Sequence, residues 1–316
     1  MIAIERIRRA QEVIAGIAVR TPLVRFQGDS GADIYLKLEN LQPIHSFKLR
    51  GALALVDSLS PSALDDGILT ASAGNFAQAA AWVARERGVA CRVVVPDSAP
   101  QTKLDAIHRL GGETIPVSFD AWWQCMTERR FRDLPGVFLH PVEHEALMAG
   151  NGTIGLEVLE DLPDVDNVLV PWGGGGLVTG IASALRQEKP AVRIYGAEVA
   201  SAAPLTASLA AGKPVVVERK PSFVDGIGST QLLPSMWPYA QELLDGSFVA
   251  TPERVAEAVC LILERNRVVA EGAGATALAV ALDEALPGTT VCVVSGGNLD
   301  GSVLAQLLAS RDQDQN

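Results

Sequence analysis

The sequence predicts an α/β protein with open, mostly parallel sheets covered by helices on both faces. Short β-branched runs alternate along the chain with alanine- and leucine-rich segments of helical length, which is the pattern of such sheets. Hydrophobic residues make up 48% and charged residues 20%, so the composition is that of a globular, enzyme-like chain. A length of 316 residues allows one large domain or two smaller domains that share an interface.

The elements follow in a regular order. An amphipathic helix is expected first, because Ile7, Ile14 and Ile17 stand at near-helical spacing among charged residues. Strands are predicted for "DIYLKLE", "GILTAS", "CRVVVP", "ETIPV", "VFLHP", "NVLVPW", "RIYGAEV", "SFVAT" and "TVCVVS". Helices are predicted for "NFAQAAAWVARERG", "TIGLEVLEDL", "LVTGIASALRQE", "ERVAEAVCLILERN" and "GATALAVALDEAL". Ligands gather where such strands end and helices begin, because free N–H groups and the helix dipole converge there.

The net charge and the cysteines indicate which classes of partner and which compartment to expect. A net charge of −11 repels polyanions, so nucleic acid and anionic membrane surfaces are not expected as partners, and a small molecule is favoured. No apolar run reaches the roughly 18 to 20 residues that a membrane span needs. The four cysteines are far apart without a C-x-x-C pair, which predicts reduced core residues of a cytoplasmic protein.

Four consecutive glycines, Gly173, Gly174, Gly175 and Gly176, follow the strand "NVLVPW" and lead into an apolar helix. Positions without side chains let several backbone N–H groups turn toward one anion, which is how a helix N-terminus holds a phosphate. A tight turn is the alternative, but it seldom needs four glycines. No Lys-Ser or Lys-Thr follows, so a Walker loop is excluded, and the dinucleotide pattern fails because its third glycine is missing.

Lys48 stands in the apolar segment "HSFKLRGA" at a helix start, in a chain with 20 arginines and only 6 lysines. A lysine partly withdrawn from water has a lowered pKa and can form a Schiff base with an aldehyde. Taken alone, Lys48 fits a solvated helix lysine better, and the other motifs reverse that preference.

Two further strand ends carry polar groups. "SAGN", residues Ser72 to Asn75, offers a hydroxyl, backbone N–H groups and an amide suited to a carboxylate. "SGGN" begins with Ser295, whose hydroxyl can hydrogen-bond a ring nitrogen. Each tetrapeptide alone also fits an N-cap or a turn. Together the motifs supply an amine, a phosphate cradle, a carboxylate loop and a partner for a ring nitrogen.

With these motifs the sequence resembles the fold-type II pyridoxal-phosphate enzymes, in particular the branch of threonine and serine dehydratases (ammonia-lyases) and serine racemase. "RTPL", "KLENLQPIHSFKLRGA", "SAGNFAQ", "VVVPDSAPQTK", "GAE", "GGGGL", "DGI", "EGAGA" and "SGGN" occur in the family's order and span nearly the whole chain. Cysteine synthases and tryptophan synthase β-chains share the architecture, but "SFKLRGA" resembles the dehydratase form. The resemblance implies a two-domain, tryptophan synthase β-like fold and pyridoxal 5'-phosphate as cofactor.

The resemblance also implies residue roles. Lys48 corresponds to the Schiff-base lysine and Phe47 to a residue packed near the cofactor ring. Asn75 corresponds to the partner of the cofactor's 3-hydroxyl, and Ser295 to the partner of the pyridine nitrogen. The glycines at 173–176 match the phosphate loop. The expected substrate-binding residues are Ser72, Ala73, Gly74, Asn75 and Phe76.

A neutral hydroxyl at the ring nitrogen does not hold that nitrogen protonated as an aspartate would, which favours quick β-elimination. In the mechanism that the resemblance implies, the substrate amine displaces Lys48 from the cofactor aldehyde, and the freed lysine removes the α-proton. The β-hydroxyl leaves with acid help from the cofactor phosphate. A threonine- or serine-like β-hydroxy amino acid would thus give a 2-oxo acid and ammonia.

Four positions depart from the family pattern and concern the substrate more than the cofactor. His45 replaces a glycine, Phe76 the histidine of "GNHAQ", Asn151 the glutamine of "GQGT", and Trp172 a smaller residue. An apolar ring at position 76 is expected to disfavour short polar substrate side chains and to widen tolerance for apolar ones. Hydroxyaspartate or another bulkier β-hydroxy amino acid therefore remains an alternative substrate.

Other classes also stay open. Racemization is disfavoured because Ala73 occupies the position of the serine that serves as opposite-face acid in serine racemase. A catalytically silent relative that binds an amino acid or a partner protein is the remaining alternative. No metal is expected, because Glu198 is present but Pro204 stands at the second position of the family's cation site. The pair His140 and His144 has no third ligand nearby.

The resemblance implies a particular domain organisation. Residues 1–46 together with 142–316 are expected to form the large cofactor-binding domain. Residues 47–141 would form a small inserted domain that carries Lys48 and the carboxylate loop. The chain leaves no room for the regulatory domain of long biosynthetic threonine dehydratases, so feedback inhibition by isoleucine is not expected. A homodimer is expected from the family alone.

Overall fold

The computed structural model describes residues 1–28 and 32–314, with the backbone alone for 312–314. Its strands are β1 Leu23–Arg25, β2 Ile34–Leu38, β3 Ile68–Ala71, β4 Cys91–Pro96, β5 Glu113–Val117, β6 Val137–Phe138, β7 Asn167–Pro171, β8 Arg193–Val199, β9 Gly246–Ala250 and β10 Thr290–Val294. All nine predicted strands are present. The additional strand, β1, is a three-residue edge strand too short for a pattern to reveal.

The helices of the described ranges cover both sheets. They are α1 Ile4–Ile14, α2 Lys48–Asp57, α3 Asn75–Arg87, α4 Gln101–Arg109, α5 Phe119–Glu128, α6 Glu145–Asp161, α7 Gly176–Glu188, α8 Pro204–Ala211, α9 Trp237–Leu243, α10 Pro252–Asn266, α11 Gly272–Glu284 and α12 Gly301–Asp314. Single 3₁₀ turns occupy Glu39–Leu41, Pro61–Leu64 and Pro234–Met236. The predicted α/β class is confirmed.

Two separate sheets organise the chain. The larger has the order β1-β2-β10-β7-β8-β9, and only its edge strand β1 runs antiparallel to its neighbour. The smaller has the order β5-β4-β3-β6 and is parallel throughout. Parallel strands buried on both faces explain the continuous apolar runs in the sequence, such as β7 and β10, in which every residue is buried.

Helix α6 begins eight residues before the predicted segment "TIGLEVLEDL". Its first half contains Gly150 and Gly152, which lower helix propensity and hide the helix from the sequence. The glycines are required by close packing: a Cβ at Gly150 would lie 2.4 Å from the carbonyl oxygen of Arg50, and one at Gly152 would lie 2.9 Å from that of Gly180. Tertiary contacts with α2 and α7 therefore outweigh propensity here.

The remaining features of the fold concern the cysteines, the helix lengths and the cleft between the sheets. The four cysteines are buried and form no disulfide bond, as predicted. Within the described ranges, no helix is both long enough and apolar enough to cross a membrane. The carboxyl ends of β3 and β4 in the small sheet and of β7 and β10 in the large sheet face one cleft, and the loops after these strands line it. The fold thus brings the four motifs of the sequence together.

Candidate active site

The cleft between the sheets holds a cavity of about 570 Å³. Every residue predicted for the site lines it: Phe47, Lys48, Ser72, Ala73, Gly74, Asn75, Phe76, Gly173, Gly174, Gly175, Gly176 and Ser295. These residues come from distant parts of the chain, and parallel strand order places them side by side. The cavity volume is in the range typical of small-molecule sites.

Lys48 is the first residue of α2, and the turn before it is fixed to the end of β10. The N–H of Phe47 donates to the carbonyl oxygen of Ser295 over 3.0 Å, and Ser46 forms an antiparallel bridge with Gly296. The Lys48 amino group donates to the carbonyl oxygen of Pro141 over 3.0 Å. Backbone pairing therefore holds the lysine at the border of the two sheets.

Two phenylalanine rings lie near the buried Lys48 amino group. It lies 5.0 Å from the centre of the Phe47 ring and 5.7 Å from that of the Phe76 ring. Burial lowers the pKa of Lys48 to about 8, and the nearby Glu271 carboxylate opposes this shift. About a tenth of this lysine is therefore an uncharged, nucleophilic amine at pH 7, a far larger fraction than in an exposed lysine.

The glycine run forms the turn between β7 and α7, as predicted. Gly175 has a φ of +96°, a conformation that side chains rarely adopt. A Cβ at Gly174 would lie 2.4 Å from Val142 Cγ2, and one at Gly175 would lie 2.8 Å from the ring of Trp172. Side chains at these positions would collide with their neighbours, and the backbone N–H groups that begin the 13-residue helix α7 border the cavity. This arrangement suits a phosphate.

The "SAGN" segment connects β3 to the start of α3. The Ser72 hydroxyl accepts a hydrogen bond from the N–H of Gly74 over 3.2 Å. A Cβ built on Gly74 would meet nothing within 4 Å, so open space adjoins this turn. The first N–H groups of α3 have no partner within the helix, which makes the turn suitable for a carboxylate.

Asn75 is held from the opposite side of the cleft. Its side-chain nitrogen donates to Glu271 over 2.8 Å, and its side-chain oxygen accepts from Asn298 over 2.8 Å. Asn298 also donates to the carbonyl oxygen of Ile44 over 3.0 Å. The amide of Asn75 is thereby fixed in orientation between the two sheets.

Glu271 is a cavity residue that the sequence did not reveal. It precedes α11 and its N–H donates to the carbonyl oxygen of Gly296 over 3.0 Å. The signal that could have revealed it is the carboxylate directly before an apolar helix in "EGAGA". An acidic residue at the N-terminus of a helix is common, however, because it interacts favourably with the helix dipole. Burial raises its pKa to about 7, and the hydrogen bond from Asn75 partly offsets that rise.

The raised pKa of Glu271 predicts a pH-dependent stability. Between its ordinary pKa of 4.5 and about 7 the folded protein holds a proton that the unfolded chain releases, so stability is lost as pH rises through this window. Glu271→Gln removes the titration and keeps the oxygen that accepts from Asn75. In urea unfolding of the cofactor-free protein, this variant should gain up to about 3 kcal/mol over wild type at pH 8.

The stability gain of Glu271→Gln over wild type should disappear near pH 4.5. The matched control is Glu284→Gln, an exposed glutamate at the other end of α11, for which a change within about 0.5 kcal/mol at either pH is expected. Equal effects of Glu271→Gln at the acidic and the alkaline pH would contradict the assigned shift.

The four departures have distinct positions. His45 has a φ of +57°, so the glycine usual there would fit without strain. Asn151 is buried and donates to the carbonyl oxygen of Gly176 over 3.2 Å. Trp172 is buried beneath Gly175 and Phe76 lines the cavity. Of the four, Phe76 is therefore the one whose residue lines the cavity.

The candidate metal residues are engaged elsewhere. Glu198 accepts hydrogen bonds from the N–H groups of Leu205 and Thr206 and from the Thr206 hydroxyl, so it caps α8. His140 accepts from the N–H of Glu143 over 2.8 Å, and His144 caps α6. In the ranges that the structure describes, no group of three or more potential ligand side chains could hold a metal ion.

One cavity between parallel sheets contains a lysine with a lowered pKa, a glycine turn at a helix N-terminus and the "SAGN" turn, and these are the groups that a pyridoxal-phosphate-dependent enzyme needs. The residues present fit this cofactor, because Gly174 and Gly175 have room only for backbone and the amine that would carry an aldehyde lies in the same cavity. The family described as "Pyridoxal-phosphate dependent enzyme" matches residues 14–297, and the chain belongs to it. The fold is fold-type II.

Within the family, particular relatives are similar over most of the chain. The L-threonine ammonia-lyase of Geobacter sulfurreducens is 42% identical over 89% of this chain and 72% of its own length. The structure of maize serine racemase has a TM-score of 0.87 and 31% identity, covering 99% of this chain and 98% of that one. The processed form of threonine deaminase isoform 2 from Solanum lycopersicum has a TM-score of 0.87 and 30% identity, covering 97% and 87%.

Proposed function

We propose that this chain is a pyridoxal-phosphate-dependent dehydratase (ammonia-lyase). It eliminates water from a threonine- or serine-like β-hydroxy amino acid and yields a 2-oxo acid and ammonia. The observation that carries the proposal is the Lys48 amino group, with a pKa of about 8, in the same cavity as the glycine turn and the "SAGN" turn. The similarity to threonine ammonia-lyases supports the reaction type and the substrate class.

Different residues around the cavity would bind different parts of the cofactor. The N–H groups of the glycine turn at 173–176 would hold the cofactor phosphate, and the Ser295 hydroxyl would be the partner of the ring nitrogen. Asn75, fixed by Glu271 and Asn298, would hydrogen-bond the 3-hydroxyl. Phe47 would pack near the ring. When bound, the cofactor supplies an electron sink for the electrons left at the substrate Cα.

The protein's own groups bind the substrate and move the proton. The turn from Ser72 to Gly74 binds the substrate carboxylate through N–H groups and the Ser72 hydroxyl. Lys48, once free and uncharged, takes the proton from Cα as general base. Its lowered pKa suits this task at neutral to slightly alkaline pH, and the Phe47 and Phe76 rings limit access of water to its amino group.

The domain organisation belongs to the same proposal. Residues 1–46 with 142–316 form the large domain, and residues 47–141 form the small inserted one. In support, the strands of the larger sheet fall entirely in the first set and those of the smaller sheet in the second. Closure of the two would then complete the site around a substrate. A cytoplasmic homodimer without a nucleic-acid or membrane partner is part of this proposal.

The first experiment is 2-oxo acid release by the purified, cofactor-loaded protein. A panel of L- and D-serine, L- and D-threonine and hydroxyaspartate distinguishes the substrate candidates. Release from L-threonine or L-serine is the expected result. Failure to release a 2-oxo acid from any β-hydroxy amino acid, with the cofactor demonstrably bound, would contradict the dehydratase assignment and favour the silent relative.

Racemization is the second candidate because of the similarity to maize serine racemase. Racemization is disfavoured because the side chain of Ala73 has no proton to deliver to the opposite face of the substrate. Incubation with L-serine followed by chiral chromatography should therefore show pyruvate without D-serine.

A further inference from the structure

The cavity has an apolar wall that the reaction described above does not use. Phe119, Trp122 and Met126 of α5 all line it. The rings of Phe119 and Trp122 are 5.6 Å apart, centre to centre. Phe119 is 60% exposed although it borders a concave site, so the chain's own residues do not cover it. Such apolar surface in a cleft is favourable for binding an apolar ligand group.

The wall lies beside the place proposed for the substrate. Helix α5 packs on the small sheet, where Trp122 and Met126 contact a buried cluster that includes Ala71 and Val94. Ala71 ends β3 and directly precedes Ser72, the first residue of the carboxylate turn. Phe76, at the start of α3, adds a further ring to the same cavity. A substrate whose carboxylate is bound at Ser72 to Gly74 therefore has aromatic surface on neighbouring elements.

The charges of the cavity do not provide a comparable site for an acidic side chain. Lys103 lines the cavity but forms an ion pair with Asp225 of the opposite loop. Arg219 also borders the cavity, and it is exposed to solvent, where a single charge pair contributes little. The aromatic wall is thus the part of the cavity lining that suits an apolar substrate side chain.

We propose that Phe119, Trp122 and Met126, together with Phe76, form the side-chain site for β-hydroxy amino acids that carry an apolar or aromatic group on Cβ, such as L-threo-phenylserine. The inference rests on the proposed function. Phenylserine is converted to phenylpyruvate and ammonia: the Cβ–OH bond breaks, water leaves, and hydrolysis of the resulting enamine returns the water. No oxidant or further reactant is needed. The enzyme prefers this substrate to serine.

The test compares specificity constants for L-threo-phenylserine and L-serine in holoenzyme variants. Wild type should prefer phenylserine by about tenfold or more, the scale on which apolar pockets distinguish substrates. Phe119→Ala should lower the ratio of the two kcat/KM values about tenfold. Phe119 is largely exposed, so this truncation leaves the core intact.

Trp123→Ala is the matched control. Trp123 is on the same helix, is 45% exposed and contacts Trp122 at 6.2 Å between ring centres, but it does not line the cavity. Its variant should keep the wild-type ratio. A second readout is calorimetric binding of L-phenylalanine and L-alanine, which have no β-hydroxyl to lose. Phe119→Ala should weaken phenylalanine binding relative to alanine.

The outcomes separate this inference from the proposed function. Turnover of serine or threonine without a preference for phenylserine would overturn the apolar site and leave the dehydratase standing. A preference for hydroxyaspartate would also overturn it and would favour Arg219 as the determinant. If no β-hydroxy amino acid is turned over, the dehydratase proposal fails, and the ratio of the phenylalanine and alanine Kd values still decides whether the wall binds apolar groups.

Discussion

Lys48→Ala is expected to lower kcat by at least about 10²–10⁴-fold on whichever β-hydroxy amino acid the enzyme uses, because it removes the general base. The same change removes the amine that would bind the cofactor covalently, so the total loss should lie at or beyond the upper end of this range. The measurement is single-turnover 2-oxo acid formation by wild type and variant at equal cofactor occupancy. Deamination by Lys48→Ala at the wild-type rate would refute the mechanism.

Covalent attachment gives an independent readout. Borohydride reduction of the loaded enzyme, followed by digestion and mass spectrometry, should place the cofactor on the peptide that contains Lys48. Lys103 is the internal control, since it lines the same cavity but its amino group forms an ion pair with Asp225. A cofactor found on Lys103, or an equal amount of adduct in Lys48→Ala, would contradict the assignment.

The pKa of about 8 for Lys48 adds a pH dependence to this experiment. The uncharged fraction of the amine rises through pH 8, so the rate at which the cofactor-free protein forms the reducible adduct should rise and then level off. An exposed lysine would continue to gain up to its ordinary pKa of about 10.4. Since the Glu271 carboxylate raises the Lys48 pKa, Glu271→Gln should move the rise to lower pH.

Arg50→Met is expected to cause a large loss in the free energy of unfolding. Arg50 lies in the first turn of α2 and is buried with Glu39, Glu157 and Lys37. Its guanidinium donates to both Glu39 oxygens, over 2.8 and 2.9 Å, and to both Glu157 oxygens, over 2.6 and 2.9 Å. Burial alone would raise the pKa of Glu39, but the charge and hydrogen bonds of Arg50 outweigh burial and lower it.

Removing Arg50 leaves two buried carboxylates facing the single cation of Lys37. Loss of one partner of a buried ion pair typically costs about 3–5 kcal/mol, which is a large share of a domain's stability. Urea unfolding of the cofactor-free protein should show this loss. Arg9→Met is the control, because the exposed pair of Arg9 and Glu12 should contribute no more than about 1 kcal/mol.

A loss below about 1 kcal/mol for Arg50→Met would mean that the cluster is not a stabilising network. Addition of Glu39→Gln to Arg50→Met should recover part of the loss, since it neutralises one uncompensated charge. The cluster also anchors the helix that begins with Lys48, so the amine should be less precisely held in the single variant. This should appear as slower adduct formation without denaturant, at a temperature where the variant is fully folded.

The convergence of the strand-end motifs in one cavity could be predicted from the sequence for a geometric reason. In parallel sheets the carboxyl ends of strands lie on one side, so motifs that follow strands are expected to converge. "SAGN", "GGGG" and "SGGN" each follow a strand, and all of them line the one cavity with Lys48. Their chemical roles stay predictions, because no bound cofactor or substrate defines them.

The missed features depend on contacts between distant segments. Glu271 gains its raised pKa from burial at the junction of the two sheets, and "EGAGA" read by itself looks like an ordinary helix start. Helix α6 could not be predicted at its first half, because its glycines serve close packing against α2 and α7. The wall formed by α5 is equally invisible, since "FDAWWQCM" fits any amphipathic helix that packs on a sheet.

The sequence by itself determined the α/β class, the succession of strands along the chain, the glycine turn at 173–176 and the place of Lys48 at a helix start. Those features are local: periodicity, glycine runs and turn chemistry act over a few residues. Only the tertiary structure decided that Lys48 is buried beside two phenylalanine rings, that Arg50 joins two buried carboxylates, and that aromatic residues of α5 line the cavity. Desolvation and charge pairing depend on which distant groups surround a side chain, and that is a property of the packed fold.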